Sequence, residues 1–335
     1  MNVLYPPTRF DDASIREWLA SWLSAPAMHE LAALCGWVIP WDAPMSVLLD
    51  QWVTLSGAWD FRSGAERHRM SWSDAEVDGH VLDDDVVVAC AEQLGLVQAR
   101  PVEGGVMHLV VLGGMVRAYD RRMRFARTLF DQLDPLPDVV VLSGHRPLAE
   151  AERDAAEQLG WGRPESEMEV APVALQAHFG VDGTGEVPEH FSESLDGPTL
   201  EGPESQELML RHVASWRTWS LPAVMRPDGV ALDVVVAPSG DPAHRRANTA
   251  DQLAFWADHA DVGPDTRIAL VSTTHYCVFQ QLAALRTLGR DRGCEVVTTG
   301  VDWQPDGPRR GAAYLQEIRS ALLEAQRLLA VIGPA

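Results

Sequence analysis

The chain has 335 residues, 46% of them hydrophobic and 22% charged, the balance of a globular protein long enough for one to three domains. Its formal net charge of −21 argues against nucleic acid as a partner and against anionic membranes, since phosphate surfaces select basic patches. All 27 basic residues are arginine, which excludes pyridoxal-phosphate chemistry on a Schiff-base lysine and the lysine of a Walker A loop. Any small anion must therefore be held by arginine or by backbone N–H groups.

No window approaches the ~18 apolar residues of a membrane span, and the first residues lack the basic start and apolar core of a signal peptide, so the expected location is the cytoplasm. Cys35, Cys90, Cys277 and Cys294 are scattered without metal-ligand spacing. The last three sit in apolar patterns and read as buried thiols. The 11 histidines likewise show no ligand spacing, and no metal site is expected.

Residues 1–105 read as a helical region. Ser14–Glu17 has the form of a capping box, and Ile15, Trp18, Leu19, Trp22 and Leu23 then fall on one helical face. Further helices are expected near Met28–Cys35, Pro44–Trp52 and Asp84–Leu94. Trp18, Trp22, Trp37, Trp41, Trp52, Trp59 and Trp72 all lie here. They read either as a tryptophan-rich core or, with Trp59 and Trp72 exposed, as a surface for a protein partner.

From residue 106 onward strands and helices alternate. Short valine-rich runs predict strands at 107–112, 138–142, 231–237, 267–272 and 294–299, each buried on both faces. Helices are expected after the first strand, with Met123, Ala126, Leu129, Phe130 and Leu133 on one face, at 149–160, after Asn248, and at Tyr314–Leu329. The pattern is α/β: a doubly wound, mostly parallel, Rossmann-like sheet over 106–335, with a long insertion at about 162–230. Gly180–Glu207 is acidic, rich in Gly, Pro and Ser and without period, and reads as a mobile loop or a lid.

In such a sheet ligands bind at the carboxyl edge, so the strand ends carry the candidate residues. Gly113 and Gly114 end the first strand, where a ligand can approach the backbone or the chain merely turns. No G-x-G-x-x-G follows. Ser143, Gly144 and His145 end the second strand; hydroxyl and backbone N–H groups at a helix start can hold an anion. The G-x-S-x-G of a hydrolase elbow is absent. Glu150 is a ligand-site carboxylate or a solvated first-turn acid. Asn248 and Thr249 are caps or ligand contacts, with Arg245 and Arg246 upstream to grip an anion. Thr273, Thr274 and His275 follow the fourth strand, and the imidazole is a candidate general acid or base.

The ordered set LGG (Leu112–Gly114), RMRFA (Arg122–Ala126), LSGH (Leu142–His145), Glu150-Ala151, NTADQ (Asn248–Gln252) and VSTTH (Val271–His275) resembles the SanA/ElyC/YdcF-like family over about residues 106–305. The resemblance aligns Arg122, Asn248, Thr249, Asp251 and His275 with that family's motif residues. Asp251 stands for its glutamate, Gln252 for its asparagine, Arg246 for its serine and Val278 for its last arginine. It implies a fold that binds a nucleotide-like or S-adenosyl-type molecule at this edge. Two functions are expected: a small-molecule enzyme or enzyme component of specialised metabolism, acting on an anionic or nucleotide-like ligand, or a catalytically degenerate binding or partner subunit that assembles through its N-terminal region. The sequence names no cofactor.

Overall fold

The computed structural model describes residues 3–61, 76–77, 80–144, 146–180, 218–221, 230–241, 247–303 and 311–333. In chain order its elements are α1 (Asp12–Leu23), α2 (Pro26–Leu34), α3 (Met45–Leu55), β1 (Glu76–Val77), β2 (His80–Val81), α4 (Asp84–Gln93), β3 (His108–Leu112), α5 (Val116–Phe130), β4 (Asp138–Ser143), α6 (Glu150–Gln158), α7 (Glu167–Phe179), β5 (Thr218–Leu221), β6 (Leu232–Val236), α8 (Thr249–His259), β7 (Arg267–Thr273), α9 (Cys277–Ala284), β8 (Glu295–Val301) and α10 (Gly311–Ile332). None of the described helices is long and apolar enough to cross a membrane.

The chain divides into two compact units. The first holds Met1–Pro101, Thr273–Asp291 and Thr298–Ala335. The second holds Val102–Ser272 and Arg292–Val297. The helical region of the sequence reading thus ends near residue 101, and the first unit also takes α9 and α10 from the far end of the chain.

In the first unit, α1 begins three residues earlier than the Ser14 capping box implied. The Asp11 carboxylate accepts the Ser14 N–H at 2.8 Å and is the cap, which leaves Ser14 inside the first turn. Ile15, Trp18, Leu19, Trp22 and Leu23 are all buried on the expected face. The amino-terminal half of α10 is buried on every side, the sign of a central helix. Trp22, Trp52 and Trp59 are fully buried, whereas Trp37 and Trp41 are partly buried. Trp59 therefore belongs to the core, because it packs against Trp37 and Trp52 with ring centroids 5.0 and 5.9 Å away. Trp72 lies outside the described residues. All four cysteines are buried and none is in a disulfide.

The second unit is built on a sheet of order β5-β6-β4-β3-β7-β8, in which β6, β4, β3, β7 and β8 run parallel. β5 adds an antiparallel edge, Thr218 facing Val235. In register, His108 pairs with both Asp138 and Ile268, and Val141 with Val234. The valine-rich strands fill a core shared with Val116, Tyr119, Met123, Ala126 and Phe130 of α5. Within the expected insertion lie α7 and β5. α7 escapes a periodicity search because Pro172 stands inside it, yet Val170, Ala171, Ala174, Leu175 and Phe179 are buried. Of the 180–207 loop only Gly180, in left-handed conformation at the end of α7, is described.

Candidate functional site

The order of the strands has one reversal in the second unit. The chain runs from β3 outward to β4 and β6, then returns to the other side of β3 to lay down β7 and β8. The order reverses beside β3, and in open α/β sheets the crevice at the carboxyl ends of such strands is the ligand position. Gly113 and Gly114 leave β3 at this point, and α5 starts two residues later. Its cap residue Met115 is 42% exposed and its side chain offers no acceptor to the first-turn N–H groups.

Beneath this turn is a buried polar network. Arg122, on the second turn of α5, folds back and donates through Nη1 to the Leu112 carbonyl at 2.8 Å and to that of Gly113. Ser143, at the end of β4, donates its hydroxyl to the Glu167 carbonyl at 3.1 Å. Gln252 of α8 donates to the Ser143 carbonyl at 2.9 Å. Arg146 grips Glu152 with two N–H groups at 2.6 and 2.7 Å and reaches Glu167 at 3.2 Å. The Glu167 N–H in turn donates to the Arg146 carbonyl at 2.8 Å.

All three ionic partners are nearly excluded from solvent. Burial works against the Arg146 charge, but the hydrogen bonds and charges of Glu152 and Glu167 outweigh it and hold the guanidinium protonated more firmly than usual. Burial, then the Glu167 charge, push the Tyr119 phenol well above its ordinary range, against weaker pulls from Ser143, Arg122 and Arg146.

Gly113 is explained by this crowding. A Cβ there would stand 2.5 Å from Glu167 Oε1, 2.8 Å from the Leu142 carbonyl oxygen and 2.9 Å from the Tyr119 hydroxyl. The close approach that its lack of a side chain permits is made by the protein's own polar groups. At Gly114 a Cβ would meet Arg122 Nη1 at 3.0 Å, and at Gly144 only Gln252 at 3.4 Å.

The remaining candidates divide. Asn248 and Asp251 form a reciprocal capping box, each accepting the other's N–H at 2.9–3.0 Å, with Thr249 the first residue of α8. They open the helix that brings Gln252 to Ser143. Ser143 and Gly144 do not start a helix; α6 begins at Glu150, after an isolated antiparallel bridge between Pro147 and Ser166. Glu150 lies in a separate surface network with Arg153 and Arg163, its side chain 63% exposed and its carboxyl held below the usual range by the Arg153 hydrogen bond. Thr273, Thr274 and His275 belong to the first unit. There His275 is only 4% exposed, with the rings of Tyr276, Trp303 and Tyr314 centred 3.7, 4.7 and 6.5 Å away. The Thr274 hydroxyl accepts the Trp303 N–H at 3.4 Å. Val278, where the resembled family carries arginine, is buried in that unit's core. His145, Arg245 and Arg246 lie outside the described residues.

Sequence reading missed Tyr119, Arg146, Glu152 and Glu167. Nothing in their spacing marks them: Glu167 sits in the stretch read as an insertion, and Arg146 is an isolated arginine beside a proline.

Residues 7–95 match the Rv3785 N-terminal domain family. Over 340 aligned residues the chain is 27% identical to the uncharacterized protein Rv3785 of Mycobacterium tuberculosis and to the uncharacterized protein Mb3814 of Mycobacterium bovis, covering 95% of this chain and 90% of each relative. No solved structure gives a significant match. The similarity to these mycobacterial proteins therefore extends through both units and is not confined to the matched N-terminal domain.

Gly113→Ala should lower unfolding stability by roughly 1–3 kcal/mol through overpacking, while Gly144→Ala should cost less than about 1 kcal/mol. Denaturant titration of the two variants tests the difference. The raised Tyr119 value means that the folded state favours the neutral phenol, so this contribution is intact below the ordinary phenol range and is lost as pH rises through the folded value. Ultraviolet titration of the native protein should show phenol groups resisting ionisation until unfolding, and Tyr119→Phe should lower their number by one.

Proposed function

We propose that the chain is a small-molecule enzyme or enzyme component with a Rossmann-like ligand site, which takes an anionic, nucleotide-like or S-adenosyl-type molecule at the carboxyl edge of β3. The observation that carries this reading is the Gly113-Gly114 turn. It stands where the strand order reverses, opens a helix whose cap residue supplies no acceptor, and has the carbonyls of Leu112 and Gly113 engaged by Arg122. With those acceptors satisfied by a cation, the turn presents N–H groups and the positive end of the α5 dipole, the chemistry that receives phosphate or carboxylate. The motif resemblance to the SanA/ElyC/YdcF-like family supports the same ligand class. Arg245 and Arg246 are further candidate ligand contacts in this reading, whereas Asn248 and Thr249 serve in it as the start of α8 and His275, in the other unit, is given no part in it. The cytoplasm and specialised metabolism are the setting it assumes.

A second reading, a binding subunit that serves another protein, is favoured by Val278 in place of the resembled family's arginine and by partly buried tryptophans in the first unit.

Native mass spectrometry of the purified protein tests the first reading. A copurified anionic small molecule is expected, and Met115→Asp should release it by setting a carboxylate at the start of α5. The same change should leave the fold intact and stabilise the helix by about 1 kcal/mol, as an N-cap aspartate does. A ligand retained by the variant would place it elsewhere.

A further inference from the structure

We propose that the loop between α2 and α3 is a docking surface for a partner-protein segment carrying an apolar side chain flanked by arginine or lysine. The proposal rests on the second of the two functional readings and gives it a location and a chemistry. The loop is built from the chain's own turn signals. Gly36 ends α2 in left-handed conformation (φ 67°), the Trp37 N–H returns to the Ala32 carbonyl at 2.8 Å, and Ala43 donates to Pro40 at 2.9 Å. Pro40 and Pro44 stiffen what remains.

This ordered loop holds apolar surface outward. Val38 is 89% exposed and Val47, on the first turn of α3, 49% exposed. Trp37 and Trp41 are partly buried, and both lean on the buried Trp52, with ring centroids 6.0 and 6.2 Å away. Trp41 is also stacked on His29, with ring centroids 3.5 Å apart. The rings are thus fixed in place before any partner arrives, so little side-chain entropy remains to be lost on binding. Partly buried tryptophans held in this way are common centres of interface energy.

Charge selects the occupant. Residues 17–61 carry Glu17, Glu30, Asp42, Asp50 and Asp60 and no arginine or lysine; α10 supplies Asp60 with Arg319 at 3.9 Å and Asp50 with the Gln326 amide at 2.8 Å, which leaves Glu30 and Asp42 as the charges beside the loop. Glu30 and Asp42, on either side of the loop's apolar residues, are exposed. A second copy of this chain would bring the same carboxylates against them and a net charge of −21, and an anionic membrane would repel them equally. A segment with positive charge around an apolar anchor gains on both counts.

The test is selection of random 12-residue peptides on the full-length protein, with Val38→Asp as the parallel target. At 89% exposure Val38 contributes little to the core, and unchanged thermal melting of the variant verifies that its fold is kept. Expected are peptides with one or two large apolar residues and net positive charge, whose affinity falls about tenfold or more on Val38→Asp and weakens with salt. Positively charged peptides that bind the variant equally well would overturn this location while leaving a partner-subunit reading intact. Neutral or acidic winners would overturn the chemistry. Absence of any selected peptide, or a concentration-dependent dimer abolished by Val38→Asp, would overturn the proposal altogether. Loss of copurified small molecule in Met115→Asp bears only on the ligand reading and is independent of each of these results.

Discussion

The carboxyl edge of the sheet depends on one buried residue, Glu167. Its backbone accepts the Ser143 hydroxyl and donates to the Arg146 carbonyl, its carboxylate meets the Arg146 guanidinium, and its side chain fills the space over Gly113. Taking such charges out of water costs several kcal/mol per ion, which is recovered only if each partner is closely paired. Here Arg146 has two carboxylates, and Glu152 meets it with both oxygens while also accepting the Ala149 N–H. A network of this kind tolerates little displacement, so the ends of β3 and β4 are held in one arrangement.

That arrangement has a polarity. Strand ends expose carbonyl oxygens, which repel anions. Arg122 covers two of them from below, through a helix that starts only two residues after the glycines. In the proposed reading the turn then leaves backbone N–H groups and the positive end of a helix dipole that no capping side chain absorbs. At the start of α8 the opposite choice is made: Asn248 and Asp251 satisfy each other, and the helix is used for structure, delivering Gln252 to the Ser143 carbonyl. The two helix starts differ in their caps, and the proposed anion is therefore assigned to the start of α5.

The fold was legible wherever the pattern was local. Each of the five parallel strands lies within one or two residues of its expected range, because short valine-rich runs bounded by polar turns have few other solutions. Arg122 was legible as a candidate, although its targets are backbone carbonyls and not an exposed ligand edge. Elsewhere the information was non-local. Arg146 and Glu167 are 21 residues apart and only the pairing of Pro147 with Ser166 makes them neighbours. Glu150 was placed at the site by its proximity in sequence to Ser143, yet the helix turns it to the surface arginines. α9 and α10 follow strands in sequence and so read as parts of the α/β domain, but their apolar faces pack in the helical unit's core with the first ninety-odd residues.

The central claim is that an anion is received by the backbone of the β3–α5 turn. Nuclear magnetic resonance of protein labelled with 15N-glycine, titrated with phosphate, adenosine monophosphate and S-adenosylhomocysteine, and with uncharged adenosine as control, addresses it most directly. The account predicts that the Gly113 and Gly114 amide signals move with at least one anion, saturably, and stay in place with adenosine. Glycine signals that move only elsewhere in the chain, or Gly113 and Gly114 signals that respond equally to adenosine, would contradict it.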